Sequence, residues 1–207
     1  MGDDQTLRDR LLDAYYDASS LILVNVIWFV FTALLVTAVP ALAGLFYATN
    51  ALAHGKPADW RTFLEGFRAH FWLSWRWGVV NVAVYGVLVS NLLFYDQVEA
   101  EWAVWARALA GLLTALWSVL QVFTWPLLME QEDRRVRVAV RNSAVILIRL
   151  PLFALGVAAG LALLALASAF VVRPAVVFIS ASLFAYLANK AVIDAIDRIA
   201  PKAPPPA

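Results

Sequence analysis

Five long stretches without a charged residue constrain this chain more than any other feature of its sequence. They lie between Asp17 and Lys56 (38 residues), Arg76 and Asp96 (19), Arg107 and Glu130 (22), Arg149 and Arg173 (23), and Arg173 and Lys190 (16). About 20 apolar residues in a helix cross a bilayer core of roughly 30 Å. The last stretch is short, but the span is completed if the Lys190 ammonium reaches the interface while its stem stays in the apolar region. The sequence therefore predicts a polytopic membrane protein.

Composition excludes several other classes of protein. Apolar residues make up 63% of the 207 residues and charged residues only 15%, against roughly 45–50% and 25% in soluble domains. This argues against a soluble enzyme and a disordered chain. The net charge of +1 argues against a nucleic-acid partner. The absence of cysteine excludes a disulfide framework and a thiolate metal site.

The predicted architecture is all-α, with five transmembrane helices and two interfacial amphipathic helices in one transmembrane domain over residues 1–198. The predicted spans are 21–47, 73–95, 104–129, 150–172 and 175–193, followed by a Pro-rich tail at 199–207. Arg173-Pro174 predicts the turn between the last two spans, because proline and the residue before it disfavour a continuous helix. Pro40 predicts a kink in the first span. A re-entrant second half of that first stretch is the alternative.

The distribution of basic residues predicts the orientation. With five spans, one side carries Arg8, Arg10, Arg107 and Arg173, and the other side carries the remaining twelve of the 16 Lys and Arg residues. Basic residues concentrate on the cytoplasmic side of membrane proteins. The five-span prediction therefore places the N-terminus outside and the C-terminus in the cytoplasm.

The segment after the first span has one apolar helical face. Trp60, Phe63, Leu64, Phe67 and Phe71 follow the spacing of such a face, and Asp59 can cap its first turn. We expect this helix to lie in the membrane interface, with Trp60, Phe63 and Phe67 directed towards lipid. A simple connector between spans is the plain interpretation, and a docking surface for a cytoplasmic partner is the alternative.

A second cytoplasmic segment is basic. It carries Arg134, Arg135, Arg137 and Arg141 on a predicted amphipathic helix, since a solitary strand without a partner is unstable. Each basic residue near an anionic lipid surface contributes about 1 kcal/mol. We expect these residues to bind anionic lipids. A site for a phosphate-bearing ligand or a partner is the alternative.

Polar and small residues form a seam along the third predicted span. The seam comprises Arg107, Gly111, Thr114, Ser118, Gln121 and Trp125, spaced alternately by four and three residues. Helix packing is the plain interpretation of such a seam. The alternatives are a polar path or the contact surface of a partner's helix. Gly156 and Gly160 in the fourth span form a GxxxG pattern that favours close helix packing.

Several short motifs together resemble those of the YesL-like bacterial membrane proteins, a family of unknown function. The motifs are Asn25-Val-Ile-Trp28, Thr37-Ala-Val-Pro40-Ala41-Leu-Ala-Gly44-Leu45-Phe46-Tyr47, Pro126-Leu127-Leu128, Arg141-Asn142-Ser143 and Pro151-Leu152. The resemblance implies a multi-span protein of the bacterial cytoplasmic membrane. It further implies an accessory component associated with carbohydrate ABC-type uptake systems. It provides no catalytic residues to transfer.

The residues themselves predict no chemistry. His54 and His70 are the only histidines, and no base accompanies the Ser and Thr residues inside the spans. We therefore expect no enzymatic activity, no cofactor and no metal site. The function expected is that of an accessory or assembly subunit, with the lipid bilayer and other membrane subunits as partners. The alternative is a transport or channel component with a polar path along the third span.

Overall fold

The computed structural model describes residues 7–170 and 176–199, and every regular element within these ranges is helical. In chain order the elements are α1 (Leu7–Ala33), α2 (Ala38–Ala53), α3 (Trp60–Ala69), α4 (Phe71–Asp96), α5 (Glu101–Met129), α6 (Val136–Arg149), α7 (Pro151–Phe170), the π-helical turn π1 (Val176–Ser180) and α8 (Ala181–Ile199). The predicted all-α fold is confirmed.

Five of these helices are long and apolar enough to cross a membrane. They are Tyr15–Ala33 in α1, then α4, α5 and α7, and Phe178–Ile199 across π1 and α8. The last four overlap the four later spans predicted from the charge-free stretches. The chain is therefore a multi-pass, membrane-type helical protein. The shorter α3 and α6 occupy the two segments predicted as amphipathic helices. The predicted Arg173-Pro174 turn, and all of the predicted 199–207 tail except Ile199, lie outside the described residues.

The first charge-free stretch does not form one kinked span over 21–47. Helix α1 ends at Ala33, four residues form a turn, and α2 begins at Ala38. Pro40 is the third residue of α2 and does not kink a longer helix. A first-turn N–H has no partner inside its own helix, so proline removes no hydrogen bond there. The 38-residue stretch therefore folds into two helices.

The turn between α1 and α2 satisfies its backbone groups internally. Leu35 N donates to the Thr32 carbonyl and Ala38 N to the Leu35 carbonyl, both at 3.1 Å. The Thr37 hydroxyl donates to the Phe31 carbonyl. Leu35 has a φ of 53°, in the left-handed region that tightens the turn. Such a closed turn tolerates apolar surroundings, where unsatisfied backbone groups are costly.

Helix α2 lies at the centre of the fold. It packs against α1, α3, α4, α5 and α8, and ten of its 16 residues are buried. Many of these are Ala or Gly, whose small side chains allow neighbouring helices to approach closely. The hydrophobic core of the protein is therefore assembled around a helix of roughly 24 Å.

Contacts along α2 and α8 show the direction of the chain. Asn189 and Lys190 of α8 bond to the C-terminal half of α2, and Ala181 and Phe184 lie beside Leu42 and Phe46. Helices α2 and α8 are therefore parallel.

Helix α1 runs in the opposite direction. Ser182 N donates to Asn25 Oδ1 at 2.8 Å, and Asp17 interacts electrostatically with Tyr186, so later residues of α8 face earlier residues of α1. The start of α1 and the end of α8 thus lie at the same end of the bundle. This arrangement differs from the five-span prediction, in which the two termini lie on opposite sides.

We call this end of the bundle the basic end. Of the 14 Lys and Arg residues within residues 7–170 and 176–199, it carries 13, and Arg107 lies at the opposite end. The 13 are Arg8, Arg10, Lys56, Arg61, Arg68, Arg76, Arg134, Arg135, Arg137, Arg141, Arg149, Lys190 and Arg198. The bias is stronger than that expected for five spans, because the reversal at α2 moves the start of α1 to the basic end.

This topology predicts a specific labelling pattern. The native chain has no cysteine, so single substitutions can be labelled with a membrane-impermeant thiol reagent. We expect Leu12→Cys, Lys56→Cys and Arg137→Cys to react from one side of the membrane and Glu99→Cys from the other. Labelling of Leu12→Cys from the same side as Glu99→Cys would contradict the antiparallel α1–α2 pair and support five crossings.

Two glycines allow α2 and α3 to approach closely. A Cβ on Gly44 would lie 2.9 Å from the Phe63 carbonyl oxygen and 3.0 Å from its ring. A Cβ on Gly66 would overlap Tyr47 Cβ. By contrast, a Cβ on Gly86 or Gly160 would have no atom within 4 Å. Glycine is thus required by packing in the α2–α3 contact but not at these two exposed positions.

These contacts predict opposite effects of alanine. We expect Gly66→Ala to lower the free energy of unfolding by about 1–3 kcal/mol, because an extra methyl group forces the packed helices apart. Gly86→Ala should leave stability unchanged or slightly raised, because alanine has the higher helix propensity. Thermal unfolding of the detergent-purified variants measures both. Equal stability of the two variants would show that α3 does not depend on this close contact.

Candidate functional site

The polar seam of α5 faces α4 over most of its length. Arg107 Nη1 donates to Asp96 Oδ1 at 2.5 Å, and the Ser118 and Tyr85 hydroxyls lie 3.0 Å apart. The Thr114 hydroxyl bonds to the Ala110 carbonyl of its own helix at 2.8 Å. The bonds of Arg107 and Ser118 to α4 are those of a packed helix pair, and the Thr114 hydroxyl is satisfied within its own helix. The plain interpretation of the seam therefore accounts for its part between Arg107 and Ser118.

On the side of Ser118 nearer the basic end, α4 and α5 border a cleft with four polar side chains, which we call the polar cleft. This cleft has a volume of about 380 Å³ and lies between α2, α4, α5 and α8. Its polar lining comprises Asn81, Tyr85, Ser118 and Gln121, and its aromatic walls comprise Phe46, Trp77, Trp125 and Phe184. Ser118, Gln121 and Trp125 were predicted as part of the seam, whereas the contribution of α2 and α8 was not predicted. The lining carries no charged side chain, so the polar cleft suits neutral groups.

Two hydrogen-bond donors in the lining are unused. Trp77 Nε1 and Gln121 Nε2 are buried and have no acceptor in the described part of the chain. Asn81, in contrast, donates to the Trp77 carbonyl and accepts from Trp117 Nε1, both at 3.1 Å. A buried donor without a partner costs about 1–3 kcal/mol. Both side chains line the polar cleft, although neither nitrogen is accessible from it in this structure. An oxygen acceptor in the cleft would offset that cost once a small side-chain rotation exposes the N–H.

An amide network, buried at Asn189 and partly exposed at Glu130 and His54, joins α2, α5 and α8 near the basic end. Asn189 Nδ2 donates to the Phe46 carbonyl at 3.2 Å and to Thr49 Oγ1 at 3.0 Å. Asn50 Nδ2 donates to Glu130 Oε1 at 2.6 Å, and His54 Nε2 lies 2.8 Å from the same oxygen. In a low-dielectric interior, satisfied polar networks specify one arrangement of the helices.

Sequence analysis did not identify this network. Asn50 and Asn189 could have indicated it, because amide side chains are rare in apolar stretches. Polar residues inside membrane helices usually face other parts of the protein. Lys190 Nζ also donates to the Ala53 carbonyl at 2.8 Å. This bond places a positive charge at the last turn of α2, where it interacts favourably with the helix dipole. Lys190 is therefore held by the protein, and its ammonium also lies where it can reach the membrane interface.

Residues of the resemblance motifs occupy packing positions. Asn25 is fully buried, and its Oδ1 accepts from Ser182 N at the start of α8, just after π1. The Ser143 hydroxyl lies 3.2 Å from the Thr124 hydroxyl and joins α6 to α5. Helix starts have unsatisfied N–H groups. Asn25 therefore stabilises the junction between π1 and α8.

Helix α3 departs from the predicted lipid-facing arrangement. Asp59 accepts from Arg61 N and Thr62 N, as predicted for the helix cap, and these backbone bonds lower the pKa of its carboxyl. Trp60 is 50% exposed. Phe63, however, is fully buried against Phe31 and Gly44. Its placement against lipid was wrong, because helical periodicity identifies an apolar face but not what covers it.

The other predicted interface residues have mixed surroundings. Phe67 is partly buried against Phe31, with ring centroids 5.1 Å apart. Arg134, Arg135, Arg137 and Arg141 are all exposed around the start of α6. Arg135 pairs with Asp133 at 3.5 Å. Their exposure leaves these arginines accessible, and their binding to anionic lipid stays a prediction.

Gly156 and Gly160 lie on an exposed face of α7. A Cβ at either position would have no atom within 4 Å, so the GxxxG pattern makes no close contact within the described chain. Its predicted role in helix packing inside the protein is therefore not seen. A contact with another membrane protein stays a prediction.

His70 lies at the junction of α3 and α4. It is almost completely buried, and its Nδ1 donates to the Gly66 carbonyl at 3.0 Å. Burial lowers the pKa of His70; the hydrogen bond with Gly66 raises it, and Arg134 lowers it further. The Tyr47 ring packs against it with centroids 6.0 Å apart. A neutral imidazole is therefore built into the α3–α4 junction.

The lowered pKa of His70 predicts a loss of stability at mildly acidic pH. The unfolded chain takes up a proton near the ordinary histidine pKa of about 6.5, before the folded chain does. We therefore expect the unfolding temperature in detergent to fall as the pH decreases from 7.5 to 5.5. The unfolding temperature of His70→Asn, which keeps a donor for the Gly66 carbonyl, should decrease less over the same pH range. Equal decreases in the two proteins would contradict this origin of the effect.

Within residues 7–170 and 176–199, no group of three or more His, Asp or Glu side chains is placed to hold a metal ion.

Comparison with known families finds one match over part of the chain. The model of a family described as "Protein of unknown function, DUF624" matches residues 21–92, about a third of the sequence. The match extends from α1 to α4 and includes α2 with its glycine contact to α3. Comparison with curated proteins and with solved structures finds no match.

Proposed function

We propose that this chain is a non-enzymatic accessory or assembly subunit of a bacterial cytoplasmic-membrane complex. The observation that carries the proposal is the outer half of the α4–α5 hairpin, residues 82–96 and 101–116. Its exposed side chains include Trp105 at 78% and Val82 at 75%. The rest of the described chain packs mainly on the halves of α4 and α5 nearer the basic end, around Gly78 and Trp125. The outer halves are therefore free to contact another membrane protein.

The exposed surface of α4 has features of a helix-docking face. Gly86 and Ser90 are exposed and four residues apart, and Asn91 beside them is partly exposed. Nothing lies within 4 Å of a Cβ at Gly86. Small residues permit close helix approach, and polar side chains in membranes preferentially face protein partners. We assign this surface to the helices of a partner membrane subunit rather than to lipid alone.

We place the basic end of the bundle in the cytoplasm. The concentration of Lys and Arg residues there supports this orientation by the positive-inside rule. Both the start of α1 and the end of α8 would then face the cytoplasm, in place of the N-outside orientation expected for five spans. The exposed arginines of α6 would lie at the anionic inner leaflet, which attracts basic residues.

The YesL-like resemblance suggests the kind of complex. It implies a partner in a carbohydrate ABC-type uptake system, and this part of the proposal rests on the resemblance alone. In this proposal the transported sugar is recognised by the partner subunits.

A transport or channel component is the second candidate. The polar cleft beside Ser118 and Gln121 favours it, because the cleft places neutral polar groups within the helix bundle. The seam bonds to α4 at both Arg107 and Ser118, and this pairing disfavours a continuous polar path along α5. Solute flux through vesicles that contain this chain alone would support transport and contradict a purely accessory role.

The docking proposal predicts a selective loss of partner. We expect the tagged chain, extracted from its native membrane in mild detergent, to bring a stoichiometric membrane protein. Gly86→Leu/Ser90→Leu should reduce that recovery by about tenfold or more, equivalent to about 1.4 kcal/mol. The matched control is Gly156→Leu/Gly160→Leu, which also fills open positions on an exposed helix.

Both double variants should insert and unfold like the native chain, since a Cβ at each of the three glycines meets no protein atom within the described chain and Ser90 is exposed. Absence of any stoichiometric partner in the native extract would contradict the accessory function. Loss of partner only in the α7 variant would contradict docking on α4 and move the contact to the GxxxG face.

A further inference from the structure

We propose that the polar cleft binds a neutral lipophilic molecule that carries carbonyl oxygens. This inference does not depend on the docking surface of α4. It rests on three properties of the cleft together: its unused donors, its uncharged aromatic walls and its volume.

The unused donors specify what kind of polar atom the ligand presents. Trp77 is 9% exposed, and its indole N–H has no acceptor; the Gln121 amide also has an unused N–H. An indole nitrogen can only donate. The complementary group is therefore an oxygen acceptor, and a hydrocarbon chain alone would leave both donors unsatisfied.

The walls specify the charge and body of the ligand. Phe46 and Trp125 are stacked with ring centroids 6.2 Å apart, and Trp77 packs on Trp117 at 5.8 Å. An ionised ligand would lose its hydration without gaining an opposite charge in the cleft. Neutral carbonyl compounds with an apolar body meet both requirements.

The volume of the cleft, about 380 Å³, falls within the range of roughly 300–1,000 Å³ found for small-molecule sites. Two classes of membrane molecule share the required chemistry. Isoprenoid quinones have two ring carbonyls, and diacylglycerols have two ester carbonyls. The recognised feature is the same in both: carbonyl oxygens directed at Trp77 and Gln121.

Calorimetric titration and thermal unfolding of the full chain in nanodiscs of an ether-linked phosphocholine lipid, which has no ester carbonyl, test the proposal. The probes are a short-chain isoprenoid benzoquinone, dioctanoylglycerol, and decylbenzene as a lipophile without oxygen. We expect at least one carbonyl probe to bind saturably and to raise the unfolding temperature. Decylbenzene should have neither effect. Binding of the benzoquinone alone identifies the quinone class, and binding of dioctanoylglycerol alone identifies the glyceride class. Binding of both identifies the carbonyl as the recognised group.

Variants connect the binding to the two donors. Gln121→Leu and Trp77→Phe each remove one donor and should weaken binding about five- to tenfold, the effect of one lost hydrogen bond. Trp72→Phe is the matched control, because Trp72 is exposed at the start of α4 and does not line the polar cleft. Gln121→Leu should be at least as stable as the native chain without ligand, since it removes an unsatisfied buried group.

Three results would overturn the proposal. These are no saturable binding of either carbonyl probe, equal binding of decylbenzene, and undiminished binding in both donor variants.

Discussion

The close contact between α2 and α3 is the constraint on which the rest of the structure depends. Gly44 and Gly66 remove the side chains that would otherwise hold these helices apart. Phe63 can then be buried completely and pack on Phe31 of α1. Because α3 leads directly into α4, its position also determines where the α4–α5 hairpin leaves the bundle. The central helix therefore organises both the packed core and the wall of the polar cleft.

Hydrogen bonds supply the specificity that apolar packing alone cannot give in a membrane. Lipid tails are as apolar as leucine, so burial provides little preference for one helix arrangement over another. The bonds of Asn189 to Phe46 and Thr49, and of Asn25 to Ser182, hold α8 in one register against α1 and α2. Trp77 Nε1 and Gln121 Nε2, by contrast, have no hydrogen-bond partner among the residues that the structure describes. Both residues line the polar cleft.

The later helices were predictable because charge and capping mark their ends. Asp96 ends α4 and Asp59 caps α3, as their positions in the sequence indicate. The division of the first apolar stretch was not predicted, because its turn contains Leu34, Leu35 and Val36 instead of polar turn residues. Likewise, periodicity identified the apolar face that contains Phe63 but not its protein neighbours. Ser118, Gln121 and Trp125 were predicted to share one face of α5. The other walls of the polar cleft come from α2, α4 and α8, which are distant in sequence.

The apolar turn between α1 and α2 has a consequence for the biogenesis of the protein. Leu34, Leu35 and Val36 are exposed, and the turn around them bonds its backbone internally. No charged side chain lies between Asp17 and Lys56. The pair can therefore enter the bilayer from one face as a preformed helical hairpin, and no ionised loop has to be translocated.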